Sequence, residues 1–351
     1  RTGRSPRDSF GASACGMENK MRKKWIRGGI FLCLVLLLLS NLNRILCVKS
    51  PHGVDQTRYL YVQPKNKIDV LFLGSSHVHC NVNTQLLWDE YGMAAYLMTG
   101  AEQPLWNSYY NLKEALKTQK PKLVVLDMFC PSRFYDDFQP GWADENLEGM
   151  RISLNKLEAV YTSVQEEQSH FFLGFTEYHS RYDQLTTEDF QNFVWNRKTQ
   201  ERWKGYTPLN RHAELTEPDM SHVTTSQEMT EKSKEYFEKI VELTKKEGIA
   251  LALISGPYLL EERDQEVYNS IGQLAEKDGL LFWNTNTPAH YREMGLDFST
   301  DYADHAHLNE AGGAKYTAYL GKWLSQNYSF PDRRGQKGYE SWENQLMKSG
   351  E

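Results

Sequence analysis

Two short stretches of the chain carry the residue types of nucleophilic acyl chemistry. Gly74-Ser75-Ser76-His77 places two hydroxyls directly after the apolar run Ile68 to Gly74, and Asp304-His305-Ala306-His307-Leu308-Asn309 places a carboxylate three residues ahead of an imidazole. A serine hydroxyl is a weak nucleophile until a base removes its proton. An imidazole held at Nδ1 by a carboxylate presents Nε2 for that task in a fixed tautomer. The expected roles are Ser76 as nucleophile, His307 as general base and Asp304 as the group that orients the ring. Gly-Ser-Ser alone is ordinary turn composition; its place after an apolar strand, with a distant Asp-x-x-His, is what points to catalysis.

Other polar clusters compete with this reading. His305 and His307, with Asp301 and Asp304 nearby, invite a metal site, but zinc needs three or four converging ligands and the other candidates, His290, His77 and His79, are remote in sequence. No metal or organic cofactor is implied. His77 and His79 read as helix-start or pocket-wall residues. Tyr178-His179-Ser180-Arg181-Tyr182 is a compact polar-aromatic cluster. It suits a sugar or an acyl donor, against the plainer alternative of a solvated loop or an arginine packed on tyrosine. His77, His179, Arg181 and Tyr182 are therefore the candidate substrate-binding residues.

These side chains need a scaffold, and the apolar pattern supplies one. Ile68 to Gly74 is short, apolar apart from Asp69 and ends in glycine, as a buried parallel strand does. Further strands are predicted at Ala94 to Met98, Lys122 to Phe129, Ile249 to Ser255 and Leu280 to Asn284. Helices are predicted around Thr84 to Tyr91, from Pro104 through Leu105, Tyr109, Leu112 and Leu116, over Ser226 to Lys246 with Gly248 as C-cap, over Glu262 to Lys277, and from about Asn309 to Gln326. Five strands alternating with helices imply an α/β fold, a flavodoxin-like three-layer α/β/α arrangement of a mostly parallel sheet, because parallel neighbours require crossover helices. Trp88, Trp106, Trp283 and Trp323 fall at core-facing positions. The alternation stops between about 131 and 225, which reads as an insertion beside the carboxyl ends of the strands, where open α/β sheets bind ligands.

At this point the chain resembles the SGNH (GDSL-type) hydrolase superfamily. The Gly-Asp-Ser block of that family is matched by Gly74-Ser75-Ser76, and its closing Asp-x-x-His by Asp304 to His307. The resemblance covers roughly residues 66 to 326 and implies Ser76, His307 and Asp304 as the triad, with Ser75 standing where the usual aspartate would be. It implies an oxyanion hole built from the Ser76 amide and from Gly100, in the matching Thr99-Gly100-Ala101. The third block, a Gly-x-Asn after the third strand, is missing, since the chain reads Leu126-Asp127-Met128-Phe129-Cys130; Gln103 and Asn107 are the substitutes to test. Within the superfamily the layout is similar to alginate O-acetyltransferase-type proteins and to the D-alanine transfer protein of lipoteichoic acid synthesis.

Residues 1 to 27 hold eight Arg and Lys against Asp8 and Glu18, about +6, which leaves about −12 on the remainder of a chain of net charge −6. An acidic body lacks the basic face a nucleic-acid partner requires. Arg22, Lys23, Lys24 and Arg27 precede the apolar run Ile30 to Ser40. Extended over 26–48, the run reaches membrane-spanning length only by including Asn41, Asn43 and Arg44, and no small-residue cleavage pattern follows it. An uncleaved signal anchor is expected, with the basic end inside and the folded domain outside the cytoplasm. Residues 1–25 form a cytoplasmic leader, of which 1–16 read as sequence upstream of the natural start. A stalk (49–65), the hydrolase-like domain (66–326) and a tail (327–351) follow. Of the five cysteines only Cys80 and Cys130 fall in the folded domain. Outside the cytoplasm they are free to pair, or they serve as buried small hydrophobes.

The expectation is a membrane-anchored serine esterase or O-acyltransferase acting through an acyl-serine on small acyl esters of an envelope or exported polysaccharide. Its partners would be the acylated carbohydrate, the membrane through the N-terminal helix and, for transfer, a membrane acyltransferase. The competing expectation is an inactive protein of the same fold that binds or assembles envelope carbohydrate, to which the missing third block lends weight. The shared acyl-serine leaves hydrolysis and transfer unseparated.

Overall fold

The computed structural model describes residues 8–46, 53–134, 137–138, 140–166, 168–172, 179–191 and 203–343. Five parallel strands form one sheet: β1 (Val70–Gly74), β2 (Ala95–Thr99), β3 (Leu123–Asp127), β4 (Ala250–Ser255) and β5 (Leu281–Asn284), in the order β2-β1-β3-β4-β5. This is the flavodoxin-like order expected from the strand–helix alternation. Its direction reverses at β1, so a crevice opens outside the carboxyl ends of β1 and β3.

The strands lack the alternation of a one-sided sheet because both faces are covered. Val70, Leu71, Phe72 and Leu73 are all fully buried. Each such side chain contributes about 1.5–3 kcal/mol relative to exposure. Period-two geometry sends Leu71, Leu73, Val124, Leu126 and Leu253 to one face, where helices Leu105–Ala115, Glu231–Glu247 and Glu262–Asp278 supply Leu112, Phe237, Ile240, Val267 and Ile271. Val70, Phe72, Val125, Ala252 and Ile254 face the other way, against Leu87, Tyr291, Leu320 and Leu324 of helices Thr84–Tyr91, Pro288–Met294 and Glu310–Asn327. The predicted C-cap holds: Gly248 closes its helix in the left-handed region at φ +67°. Trp88 and Trp106 are buried, and Trp283 stacks on Trp323 with centroids 4.8 Å apart.

Three regions differ from the sequence expectation. The expected stalk contains helix Val54–Leu60, whose Tyr59 and Leu60 join the core. The expected tail returns to β2, where the buried Trp342 indole donates to the Ala95 carbonyl at 3.0 Å. The expected insertion carries helices Ala143–Leu147 and Leu154–Ser163, and their Leu147, Ala159 and Val160 belong to the core. In all three, apolar residues too sparse for a clear period are buried by partners distant in sequence. Cys80 and Cys130 are both buried and unbridged.

The chain divides into two compact units, one of residues 49–172 with 196–351, the other of residues 1–48 with 173–195. The second holds helix Asp8–Leu46, whose Lys20–Asn43 portion, 24 residues of mean hydropathy 1.9, is long and apolar enough to cross a membrane. Anchors and signal sequences share that property.

Candidate active site

β1 ends at Gly74 with φ +149°, a conformation that side-chain-bearing residues rarely adopt. A Cβ there would also lie 2.5 Å from Asp127 Cβ. Glycine therefore allows the chain to leave the sheet beside β3 and turn at once. Ser75 caps helix Ser76–Asn81, its hydroxyl accepting the His77 amide at 3.3 Å. Ser76 is the first residue of that helix, so its amide has no intrahelical acceptor.

The other half of the site is the loop before the last long helix. Asp304 Oδ1 accepts the Ala306 amide at 2.9 Å and the His307 amide at 3.0 Å, which curls the loop so that His307 Nδ1 reaches the same oxygen at 2.8 Å. The Leu308 amide donates to Asn81 Oδ1 at 3.0 Å, tying this loop to the end of the serine's helix. Asn309 caps the helix that follows. The result is a continuous relay: His307 Nε2 stands 2.7 Å from Ser76 Oγ, with Asp304 behind the ring. Partial burial pushes the Asp304 carboxyl up. The His307 hydrogen bond and charge, the Ala306 amide and the Arg211 guanidinium outweigh it and bring the carboxyl down to about 2.

Arg211 has no counterpart in the sequence reading. Its guanidinium meets Asp304 Oδ2 at 2.7 Å, leaving Oδ1 to the histidine. Arg211 sits in an irregular segment 93 residues upstream, with no local pattern to mark it. The antiparallel bridge of Ala213 to Tyr302 lays that segment beside the triad loop.

The expected oxyanion donors are placed less simply. The Gly100 amide donates to the Gly74 carbonyl at 3.3 Å, so it is turned toward the β1 backbone. A Cβ on Gly100 would lie 2.3 Å from Asn146 Oδ1, which is why glycine is needed there. Gln103 is buried in the scaffold: Nε2 donates to Ser108 Oγ at 3.0 Å and Oε1 accepts from Asn111 at 2.8 Å. Asn107 Oδ1 accepts from Ser163 at 2.5 Å. Gln103 therefore serves packing, because both ends of its amide have internal partners.

Of the expected substrate-binding residues, His77 is fully enclosed, stacked on Phe129 at 3.5 Å and edge-on to Tyr258 at 4.9 Å. Neither ring nitrogen has a hydrogen-bond partner. Desolvation first, then the neighbouring His307, lowers its pKa well below the ordinary imidazole value, so the ring is neutral. His79 Nδ1 is bound to Thr99 Oγ1 at 3.1 Å. His179, Arg181 and Tyr182 belong to the unit that contains the N-terminal helix, where Arg181 donates to the Leu46 carbonyl and pairs with Asp189. Tyr178 lies outside the described residues.

Two thiols near the site are poor rivals to Ser76. Burial pushes Cys80 up to about 12 and Cys130 well above its usual value, so neither forms a thiolate at neutral pH.

No family model and no curated protein matches the chain. Solved structures do: a candidate acylhydrolase from Bacteroides fragilis (13% identity, TM-score 0.38, covering 78% of this chain and 94% of that one) is one of them. Another is a catalytic mutant of an acetylxylan esterase from Geobacillus stearothermophilus (11% identity, TM-score 0.38, 76% and 97% covered).

Proposed function

We propose that the chain is a serine esterase or O-acyltransferase. The observation that carries this reading is the relay from Ser76 Oγ to His307 Nε2 at 2.7 Å and from His307 Nδ1 to Asp304 Oδ1 at 2.8 Å. Ser76 Oγ attacks the ester carbonyl carbon as its proton passes to His307 Nε2, and Asp304 stabilises the imidazolium. The tetrahedral intermediate expels the alcohol, which takes the proton from His307, and leaves an acyl-serine. A water or a carbohydrate hydroxyl then gives its proton to His307 and attacks the acyl carbon, and the second tetrahedral intermediate breaks its bond to Ser76 Oγ, which takes the proton back from His307. The Ser76 amide is the first oxyanion donor; Gly100 joins if its 3.3 Å bond to Gly74 opens on substrate binding.

For the substrate we propose a small acyl ester, acetyl-like, on an envelope or exported polysaccharide. This rests on the sequence resemblance and on the apolar helix Lys20–Asn43, which would hold the domain at the outer face of a membrane. Transfer, as opposed to hydrolysis, would require a donor such as a membrane acyltransferase.

The second reading, an inactive carbohydrate-binding or assembly protein, is favoured by one observation. The Gly100 amide and the Gln103 side chain are both engaged inside the scaffold. The test is covalent labelling by a fluorophosphonate together with cleavage of p-nitrophenyl acetate by the full chain in detergent. Both are expected, and both are lost in Ser76→Ala. A folded wild-type protein that neither labels nor cleaves supports the binding module.

A further inference from the structure

β3 ends in Asp127, whose side chain is buried beside the turn that carries Ser76. Its Oδ2 accepts from Ser75 Oγ at 3.1 Å and its Oδ1 from the Phe129 amide at 3.3 Å. Ser75 Oγ in turn accepts the His77 amide at 3.3 Å. Residues 75 and 77 are thus linked to one carboxyl through a single hydroxyl, and the nucleophile lies between them. The approach is as close as the backbone permits, because Gly74 next to Asp127 has no room for a Cβ.

The groups facing Asp127 are the Ser75 hydroxyl and amide, the Phe129 amide, the Cys130 thiol and the Tyr316 phenol. None is a cation. A buried carboxyl without a counter-ion is a costly way to fill space. Its hydrogen bonds are directed at the turn that presents Ser76.

We propose that Asp127 is a positioning residue for the nucleophile: through the Ser75 hydroxyl it fixes the turn that holds Ser76 Oγ in line with His307. This rests on the proposed role of Ser76. The arrangement is that of the ionised carboxyl, which accepts from both Ser75 and Phe129. Once protonated, the carboxyl must donate one bond, and Ser75 Oγ changes from donor to acceptor. Desolvation raises the Asp127 pKa to about 7 against the opposing pull of Ser75 and Phe129, so the exchange falls near neutral pH. Ser76 reactivity then gains as Asp127 loses its proton with rising pH.

The experiment is the rate of fluorophosphonate labelling of the full chain in detergent, measured on both sides of the Asp127 pKa of about 7. Asp127→Ala and Ser75→Ala are each expected to slow labelling about tenfold, and the double variant no further, because both act through one hydrogen bond. Asp127→Asn, similar in shape and fixed in the neutral form, is expected to label within about threefold of wild type below pH 7 and to fall behind it at alkaline pH, where only the wild type holds an ionised carboxyl. Its profile should lack the rise near pH 7 that the wild type draws from Asp127. Cooperative thermal melting confirms that each variant is folded.

Wild-type rates in the alanine variants, additive losses in the double variant, or an Asn profile that superimposes on the wild type would each overturn the proposal. If Asp127→Ala does not fold, the Asn profile alone decides. A wild-type protein that labels while the Asp127 variants match it removes this inference only; one that is folded and never labels removes the nucleophile reading as well.

Discussion

Ser76 Oγ and His307 Nε2, 231 residues apart in the chain, meet at 2.7 Å. The contact joins the carboxyl end of β1 to the loop ahead of the last long helix. The Asn81 side chain and the Thr317 hydroxyl, which donates to the Asn81 carbonyl at 3.0 Å, brace the two segments on either side of it. In the proposed roles, base and nucleophile already stand within hydrogen-bond reach and need little rearrangement to react.

Ser76→Ala is expected to abolish labelling and ester cleavage with little change in Tm, since it removes one hydroxyl. His307→Ala should lower the cleavage rate by a factor on the order of 10³ or more. Steady-state kinetics beside thermal melting checks both.

Asp304→Asn should lower kcat by a factor on the order of 10³–10⁴, through loss of the ring's tautomer and orientation. Arg211→Ala should cost less than about tenfold, because its guanidinium is 65% exposed and water screens the pair. With a carboxyl held at about 2, below its ordinary 3.8, the stabilising contribution of Asp304 is present above about pH 4 and lost as pH falls toward 2. Melting curves of Asp304→Asn over that window should fall less steeply than those of the wild type.

Asp127 has the opposite sign. Its folded-state pKa is raised from 3.8 to about 7, so its contribution is most favourable below about pH 4 and is lost as pH rises through 7. Asp127→Asn should match the wild-type Tm near pH 4 to within a degree or so and exceed it at pH 8 by several degrees. Calorimetry at the two pH values is the measurement.

Gly100→Ala should destabilise by about 1–3 kcal/mol, because the added methyl would lie 2.3 Å from Asn146 Oδ1. Combining it with Asn146→Ala removes the obstructing amide and should recover part of the loss. A double-mutant cycle by chemical denaturation reads the coupling.

His77→Phe keeps an aromatic ring between Phe129 and Tyr258 and removes two buried nitrogens that have no partner. Stability should rise, by about 1 kcal/mol, since an unmet buried polar group is a cost. Labelling should stay within about tenfold of wild type, because both nitrogens are buried away from any ligand.

The amino-acid sequence determined the strands, their alternation with helices and the two polar blocks at opposite ends of the sheet. Those features are local: a run such as Val70 to Leu73 is apolar because both faces of its strand are covered, and Asp304 can reach His307 because they lie three positions apart. Tertiary structure alone decided what faces the relay from elsewhere. Arg211 and Asp127 arrive from segments with no catalytic pattern, and the Gly100 amide turned toward β1 because the backbone of that strand lay within reach. Helix Val54–Leu60 and Trp342 entered the core in the same way. Periodicity records whether a residue is buried and on which side of its own element; it does not record which distant partner buries it, since that depends on how the layers close.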